Sequence, residues 1–448
     1  MVPDTQNIRL ERLEARVAEL EKRNLVLEGE NLALKKQILK LQKENLQLKR
    51  RLLAYENAHT PPSKSKKKRD PREPSGKIGA PLGHEKHERE QPEPTRTVEH
   101  KAELCSRCGN KLGKSLRIER RIIEEVPEPK PIQVTEHLIH HYKCKLCGKQ
   151  NVAAHKPPRG SFGFNLQTHV TLMRFEDRLP LRKVVNSLQR HYKIKLSDVA
   201  VLNITKRAAR ALQPEYQKLV RLIRTSKVVY VDETEIKVNG KTYWIWVFVG
   251  EHGTVYVIKP TRSKTVVLEI LGEDYVGVLT SDGYSAYSKY KNHQRCWAHI
   301  MREAKALLEQ YPSFGLFYKK LKRMYSQLKQ AREKPLPLPK REALKLRLEL
   351  RMQQLVDVLE SYRKFRQFTT KLRNGIGCWF TCLIHLFVEP TNNNAERALR
   401  ELIVQRKIIG GLRAQHGANT MSTINTMLTT WRAQELPLFQ TLKTALTR

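Results

Sequence analysis

The 448-residue chain contains no unbroken apolar run of about 18 residues, the minimum for a membrane-spanning helix. Its first residues carry no apolar stretch of the kind found in secretory signals. A membrane-embedded or exported protein is therefore not expected, and the chain reads as soluble and intracellular. Acidic residues are scarce: 45 Asp and Glu face 84 Lys and Arg, for a formal net charge of +39. So large an excess excludes incidental surface variation and calls for a polyanionic partner, nucleic acid before an anionic membrane. The seven cysteines are odd in number and include two Cys-x-x-Cys pairs, a count that fits metal binding rather than a disulfide framework. At 40% hydrophobic the chain still builds at least one sizeable core, with room for roughly two or three domains.

What is present begins with a heptad repeat over residues 1–56. Leu13, Leu20, Leu27, Leu34, Leu41 and Leu48 fill every d position, and Leu10, Val17, Asn24, Asn31, Ile38, Asn45 and Leu52 fill the a positions. Leucine at d with asparagines buried at a favours a parallel two-stranded coiled coil, because each Asn needs a partner across the seam. The chain is thus expected to be a homodimer or a higher even oligomer. Residues 57–100, with "TPPSKSKKKRDPREPSG" and "QPEPTRT", form a basic, proline-rich linker with too little apolar surface to fold alone. The run from Lys64 to Arg69 can touch phosphate or simply be solvated. Basic residues that follow the zipper and are broken by prolines disfavour a leucine-zipper transcription factor, whose basic helix precedes it.

Residues 101–155 contain "CSRCG" and "CKLCG", that is Cys105, Cys108, Cys144 and Cys147. A glycine after each pair permits the tight turn that points two thiolates at one ion, and four thiolates suit a closed, structural, tetrahedral Zn²⁺. The 35 residues between the pairs include the β-like text "RIIEEV" and "IQVTEHLIHHYKC", which predicts a zinc ribbon with a long hairpin. His140 and His141 are read as surface residues. Residues 156–226 are helical: "LPLRKVVNSLQRHY", a polar break, then "DVAVLNITKRAARAL" behind an N-cap at Ser197 or Asp198, a pair resembling a helix-turn-helix.

From residue 227 the period changes to that of strands. "KVVYVDETEIKV" leads through the hairpin signal Asn239-Gly240 into "KTYWIWVFVG"; "TVYVIKP", the helical "KTVVLEIL", "VGVLTSDGYSAY" and "HQRCWAH" follow. Three antiparallel strands, a helix and further strands predict an α/β fold with a mixed sheet over residues 227–300. A helical insertion broken at "KPLPLPK" occupies 301–375, its basic face either a DNA clamp or a solvated hairpin, and 376–448 completes the core. Asp232 and Asp282 stand at strand ends. Glu396, in "TNNNAERALR", follows Asn392, Asn393 and Asn394, which are expected to cap a helix with Ala395, Leu399 and Leu402 on its buried side. A carboxylate in the first turn of a helix suits the dipole without any catalytic role. The chemistry open to a basic, DNA-binding protein supplies another reason: phosphodiester cleavage uses carboxylates to hold two Mg²⁺ ions about 4 Å apart.

The segments "YVDETEIKV", "RSKTVVLEILGEDYVGVLTSDGYSAY", "RCWAHIMREAK" and "NNNAERALRELIVQRK", in this order, resemble the IS66-type transposases, a branch of the DDE transposases. The resemblance extends over the zinc segment and the coiled coil. It implies an RNase H-like catalytic domain, Mg²⁺ or Mn²⁺ held by Asp232, Asp282 and Glu396, and DNA-facing neighbours among Arg397, Arg400, Arg406 and Lys407. It further implies a prokaryotic cytoplasmic, nucleoid-associated protein acting on element ends and target DNA, with accessory transposition proteins as further partners. Alternation puts Glu233 on the strand face opposite Asp232, and Asp274 is expected in a turn. Cys296 and His299 form a Cys-x-x-His pattern read as a structural tie between strand and helix, with a catalytic or DNA-positioning role as the alternative, and Trp297 is read as packing, with stacking on a base as the alternative. The text "RKIIGGLRAQHG" departs from the aromatic residues some members carry there. A non-catalytic DNA-binding descendant and a nuclease that does not join strands are the alternative functions.

Overall fold

The computed structural model describes residues 160–448 without interruption, residues 93–152 apart from 126, 127 and 129–131, and part of residues 16–45. The described positions of 16–45 are helical, and Val17, Leu20, Leu27, Leu34, Ile38 and Leu41 stand exposed in the single chain. Asn24, Asn31 and Asn45 are exposed as well, whereas Leu10, Leu13, Leu48, Leu52 and the linker up to residue 92 lie outside the described residues. Among the described residues no helix is long and apolar enough to cross a membrane.

The mixed sheet expected from the strand order is present. Strands β3 (Val228–Val238), β4 (Lys241–Gly250) and β5 (Gly253–Lys259) form an antiparallel meander. β6 (Val278–Ser281) and β7 (His293–Arg295) then add in parallel on the other side of β3, giving the order β5-β4-β3-β6-β7. The β3–β4 turn uses Asn239 and Gly240, both at positive φ (48° and 75°), as the Asn-Gly signal predicts. β3 is central, so its first four residues, 228–231, are buried on both faces, and alternation divides its apolar side chains. Val229 and Val231 pack with Trp246, Phe248 and Leu279 against α3 (Asp198–Ile223), α4 (Lys264–Leu271), α11 (Gln415–Ala433) and α12 (Leu438–Thr447). Tyr230, Ile236 and Val238 pack with Ile245 and Val247 on the other face. That face is covered by α5 (Trp297–Gln310), α6 (Gly315–Glu333), α7 (Leu338–Glu360), α8 (Arg366–Arg373), α9 (Thr381–Ile384) and α10 (Asn393–Ile409).

The inserted helices are therefore part of the core. Leu321, Leu328, Leu348 and Val356 are fully buried with Trp297 and Phe314, and Trp297 stacks on Tyr325 with ring centroids 5.2 Å apart. A fully buried indole cannot stack on a base, so Trp297 is packing. Ahead of the sheet, α1 (Phe164–Phe175), α2 (Leu181–Tyr192) and the start of α3 share a small core of Val170, Val184, Leu188, Val201 and Ile204. Ser197 is the N-cap of α3, its hydroxyl accepting the Ala200 N–H at 3.1 Å.

An edge strand exposes unpaired N–H groups, and β5 has its edge sealed by α11. The hydroxyls of Thr426 and Thr430, one helical turn apart, accept the N–H groups of Tyr256 (2.8 Å) and Thr254 (3.1 Å). The helix approaches so closely that a Cβ at Gly253 would lie 2.5 Å from the Thr430 methyl. Thr426→Val and Thr430→Val each strand a buried donor, and each is expected to lower unfolding free energy by about 1–3 kcal/mol in denaturant titrations. Losses near zero for both would mean that the edge is sealed by packing alone.

Candidate active site

Asp232 and Glu233 are neighbours on β3 that point to opposite faces of the sheet. Glu233 is shut away, its side chain 1% exposed. Its Oε1 accepts two bonds from Arg262, from Nη2 at 2.6 Å and Nε at 2.9 Å, and the Tyr287 hydroxyl donates to Oε2. Arg262 lies between the rings of Tyr284 (4.1 Å) and Trp244 (4.6 Å), a cation–π sandwich that fixes the guanidinium. Burial and the nearby Asp282 raise the Glu233 pKa, while Tyr287 and Arg262 oppose the rise. With both oxygens engaged inside the protein, Glu233 is a structural counterion to Arg262, and Asp232 stands on the opposite face of the strand.

Asp282 follows directly after β6, and its Oδ1 accepts the Tyr284 N–H at 2.9 Å. Between them Gly283 has φ +93°, and the Arg295 guanidinium occupies the space where a Cβ would stand. Arg295 donates to the Gly283 carbonyl (2.9 Å) and the Asn374 carbonyl (3.0 Å), fastening this loop to the end of α8. The glycine is required on both counts, by backbone conformation and by space. Asp274 lies in a turn, as expected.

Glu396 occupies the first turn of α10, with Ala395, Leu399 and Leu402 buried behind it. The expected asparagine cap is corrected in one respect. Asn392 is the N-cap residue, but its side chain makes no capping bond to the helix. Fully buried, it donates from Nδ2 to the Val231 carbonyl at 2.8 Å, one residue before Asp232. Its backbone N–H donates to Cys296 Sγ at 3.1 Å, and the Cys296 N–H donates to the Ser281 carbonyl at 2.9 Å, one residue before Asp282. Asn392 O in turn accepts the Glu396 N–H at 3.0 Å. One brace thus joins the three segments bearing Asp232, Asp282 and Glu396, and Cys296 is the structural tie within it.

The electrostatics reflect this convergence. Burial, then the charges of Glu233, Asp282 and Glu396, hold the Asp232 pKa well above the usual aspartate value, against a 2.9 Å bond from the Glu233 N–H to its Oδ1. Glu396 Oε1 is buried without a hydrogen-bond partner and lies 3.5 Å from His299 Nε2. Clustered carboxylates that crowd one another and leave a buried oxygen orphaned fit a divalent cation. The three do not form a single compact triple. Among the described residues only Cys296, His299 and Glu396 bring one ligand atom each within 4.8 Å of one another.

Of the basic residues beside Glu396, Arg397, Arg400 and Lys407 are exposed. Arg406 is tied to β3, through Thr234 Oγ1 at 3.1 Å and the Glu235 carbonyl. After α10, Leu412 continues onto the same strand, its N–H donating to Lys237 O at 2.8 Å.

The cysteine pairs form two separate knuckles. In each, the glycine N–H bonds back to the first cysteine carbonyl: Gly109 to Cys105 and Gly148 to Cys144, both 2.9 Å. N–H groups of Arg107 and Cys108 hold the Cys105 thiol below its ordinary pKa, and those of Cys147 and Leu146 do the same for Cys144. β1 (His141–Lys143) and β2 (Gln150–Val152) flank the second knuckle. The four sulfurs are not gathered into one group, and residues 121–125 and 132–140 form no strand where the β-like text predicted one. Ile123, Val134 and Leu138 there are exposed. His140 and His141 are surface residues.

The protein thus gathers Asp232, Asp282 and the helix-borne Glu396 beside a mixed sheet in a chain of net charge +39. The model for the transposase IS66 family matches residues 159–420, and the chain belongs to that family. No curated protein matches it.

The raised Asp232 pKa has a consequence for pH. A carboxyl whose folded pKa lies above its unfolded value contributes stability below the ordinary value of 3.8 and loses it as pH rises through the raised value. Divalent-ion binding needs the ionised form and releases the proton. Thermal melts are therefore expected to show Mg²⁺ stabilisation that grows with pH across this window, and Asp232→Asn to abolish the growth. A pH-independent Mg²⁺ effect would contradict the assignment.

Proposed function

We propose that the protein is a DDE transposase that cleaves DNA strands at the ends of its element and joins them to target DNA. The observation that carries this reading is the Asn392–Cys296 brace, which brings Glu396, far away in sequence, to the strand and loop that bear Asp232 and Asp282. The reading takes the sheet as RNase H-like: an antiparallel meander extended by two parallel strands, with the first carboxylate on the central strand.

Asp232, Asp282 and Glu396 would hold the divalent cations, Mg²⁺ or Mn²⁺. Bound there, such ions stabilise the attacking and leaving oxygens of an in-line displacement at phosphorus. The remaining work belongs to the chain. Arg262 neutralises Glu233 on the far side of β3, so that the reactive side carries three carboxylates and not four. The exposed Arg397, Arg400 and Lys407 on α10 bind the DNA backbone beside the carboxylates and orient the scissile phosphodiester. Hydrolysis frees a 3′-hydroxyl, whose attack on target DNA exchanges one phosphodiester for another, with no covalent protein intermediate and no ATP.

The two knuckles, in which backbone N–H groups lower the pKa of Cys105 and of Cys144, fit a structural Zn²⁺ held by Cys105, Cys108, Cys144 and Cys147. Together with the helix pair α2–α3 they would bind element ends, while the N-terminal heptads pair two chains and so two ends. Accessory proteins would join this assembly on DNA.

The test uses the full chain and a plasmid carrying the gene with its native flanking DNA. With Mg²⁺, nicks at fixed flanking positions and joined products are expected; EDTA abolishes both, and Glu396→Gln lowers them by roughly 1,000-fold or more while DNA binding persists. Cleavage by Glu396→Gln at the wild-type rate, or sequence-specific binding without any cleavage, overturns the proposal. Nicks without joined products would identify a nuclease.

A further inference from the structure

The carboxylate reading leaves unexplained a second set of ligand atoms that meets it at Glu396. Cys296 is the N-cap of α5 and His299 lies in the first turn of that helix. One ligand atom each from Cys296, His299 and Glu396 lies within 4.8 Å of the others. Sulfur, imidazole nitrogen and a single carboxylate are the wrong donors for Mg²⁺, which takes oxygen, and the right ones for a borderline-soft ion. We propose that Cys296, His299 and Glu396 form a binding site for such a divalent cation, Zn²⁺ by its chemistry, and that occupancy withdraws Glu396 from the catalytic cations. The binding half stands alone; the inhibitory half rests on Glu396 being catalytic.

Two further observations support the site. Cys296 Sγ accepts backbone N–H bonds from Ala298, His299 and Asn392, the last at 3.1 Å. The first two donors stand two and three residues after the cysteine, the same offsets at which Arg107 and Cys108 serve Cys105 in the first knuckle. Cys-Trp-Ala-His is thus built as a metal knuckle with histidine in place of the second cysteine. Burial raises the Cys296 pKa and these N–H groups oppose the rise, while helix geometry directs residues 296 and 299 to one side. The second observation is Glu396 Oε1, buried, with no hydrogen-bond partner, and 3.5 Å from His299 Nε2. Tetrahedral zinc bonds of about 2.0–2.3 Å place ligand atoms roughly 3.3–3.6 Å apart, so the trio needs to close by little more than about 1 Å. Three protein ligands leave one position for water. Binding releases the Cys296 proton to solvent.

The test begins with full-length protein loaded with one equivalent of Zn²⁺ per chain, which the four thiolates of Cys105, Cys108, Cys144 and Cys147 take first, followed by titration with Co²⁺ as a spectroscopic probe. Wild type is expected to take up one further ion with an intense sulfur-to-cobalt charge-transfer band. Cys296→Ser abolishes the band, and His299→Asn weakens uptake by at least about 100-fold. Because Cys296 also braces Asn392, its variant can fail to fold; His299→Asn, outside the brace, keeps the test decisive. Equal uptake and identical spectra in wild type and His299→Asn overturn the site. In the cleavage assay, added Zn²⁺ suppresses the Mg²⁺-supported reaction of wild type. A cysteine-dependent spectrum with no cleavage under any metal leaves the ion site standing and removes the transposase reading. Cleavage without a further bound ion does the reverse.

Discussion

The hydrogen bond from Asn392 Nδ2 to the Val231 carbonyl is the contact on which the site depends. It spans 161 residues of sequence and is buried at both ends. The carbonyl it satisfies belongs to the residue before Asp232, and Asn392 stands one helical turn before Glu396. The relative position of these two carboxylates is therefore fixed by one amide, the strand pleat and the helix rise. Cys296 extends the constraint to Asp282 through a sulfur that accepts from Asn392 and an N–H that donates to Ser281. Buried polar groups that lose a partner cost more than the bond itself contributes, which makes such a brace stiff. The inserted helices carry it: α5 begins at the brace, and its Trp297 is packed among Tyr325, Trp379 and Phe380.

Electrostatics divide the labour between adjacent acids. Glu233 and Asp232 share a strand, yet the strand's alternation sends one to Arg262 and Tyr287 and leaves the other among carboxylates. Their environments, not their identities, assign the roles. Four acidic groups in so small a space would repel one another strongly. Arg262, held between two rings, compensates one of them from inside the protein, which leaves three whose mutual repulsion a bound cation would relieve. The excess positive charge of the chain offsets the same field at longer range.

Much of this was legible in the sequence, because the signals were local or periodic. The Asn-Gly turn, the alternation along β3, the short buried β6 ending before Asp282 and the amphipathic helix carrying Glu396 all follow from spacing and residue type. The brace was not legible. Asn392 looks like a helix cap, and a cap and a tertiary tie use the same residue in the same place; only the position of β3 distinguishes them. The Glu233–Arg262–Tyr287 cluster was hidden for the same reason, since it joins residues from three elements. The β-like text around Ile123 and Val134 misled, because strand propensity is fulfilled only against a partner surface.

The central claim, that a single buried amide positions the carboxylates proposed to hold the cations, is tested most directly by Mn²⁺ binding followed through its free-ion paramagnetic resonance signal. Wild type and Asn392→Ala would be titrated side by side, each with a thermal melt to verify a cooperative fold. The account predicts that Asn392→Ala still melts cooperatively but binds Mn²⁺ at least about 10-fold more weakly, the usual effect of removing a group that orients metal ligands. Unchanged Mn²⁺ affinity in a folded Asn392→Ala protein would contradict it.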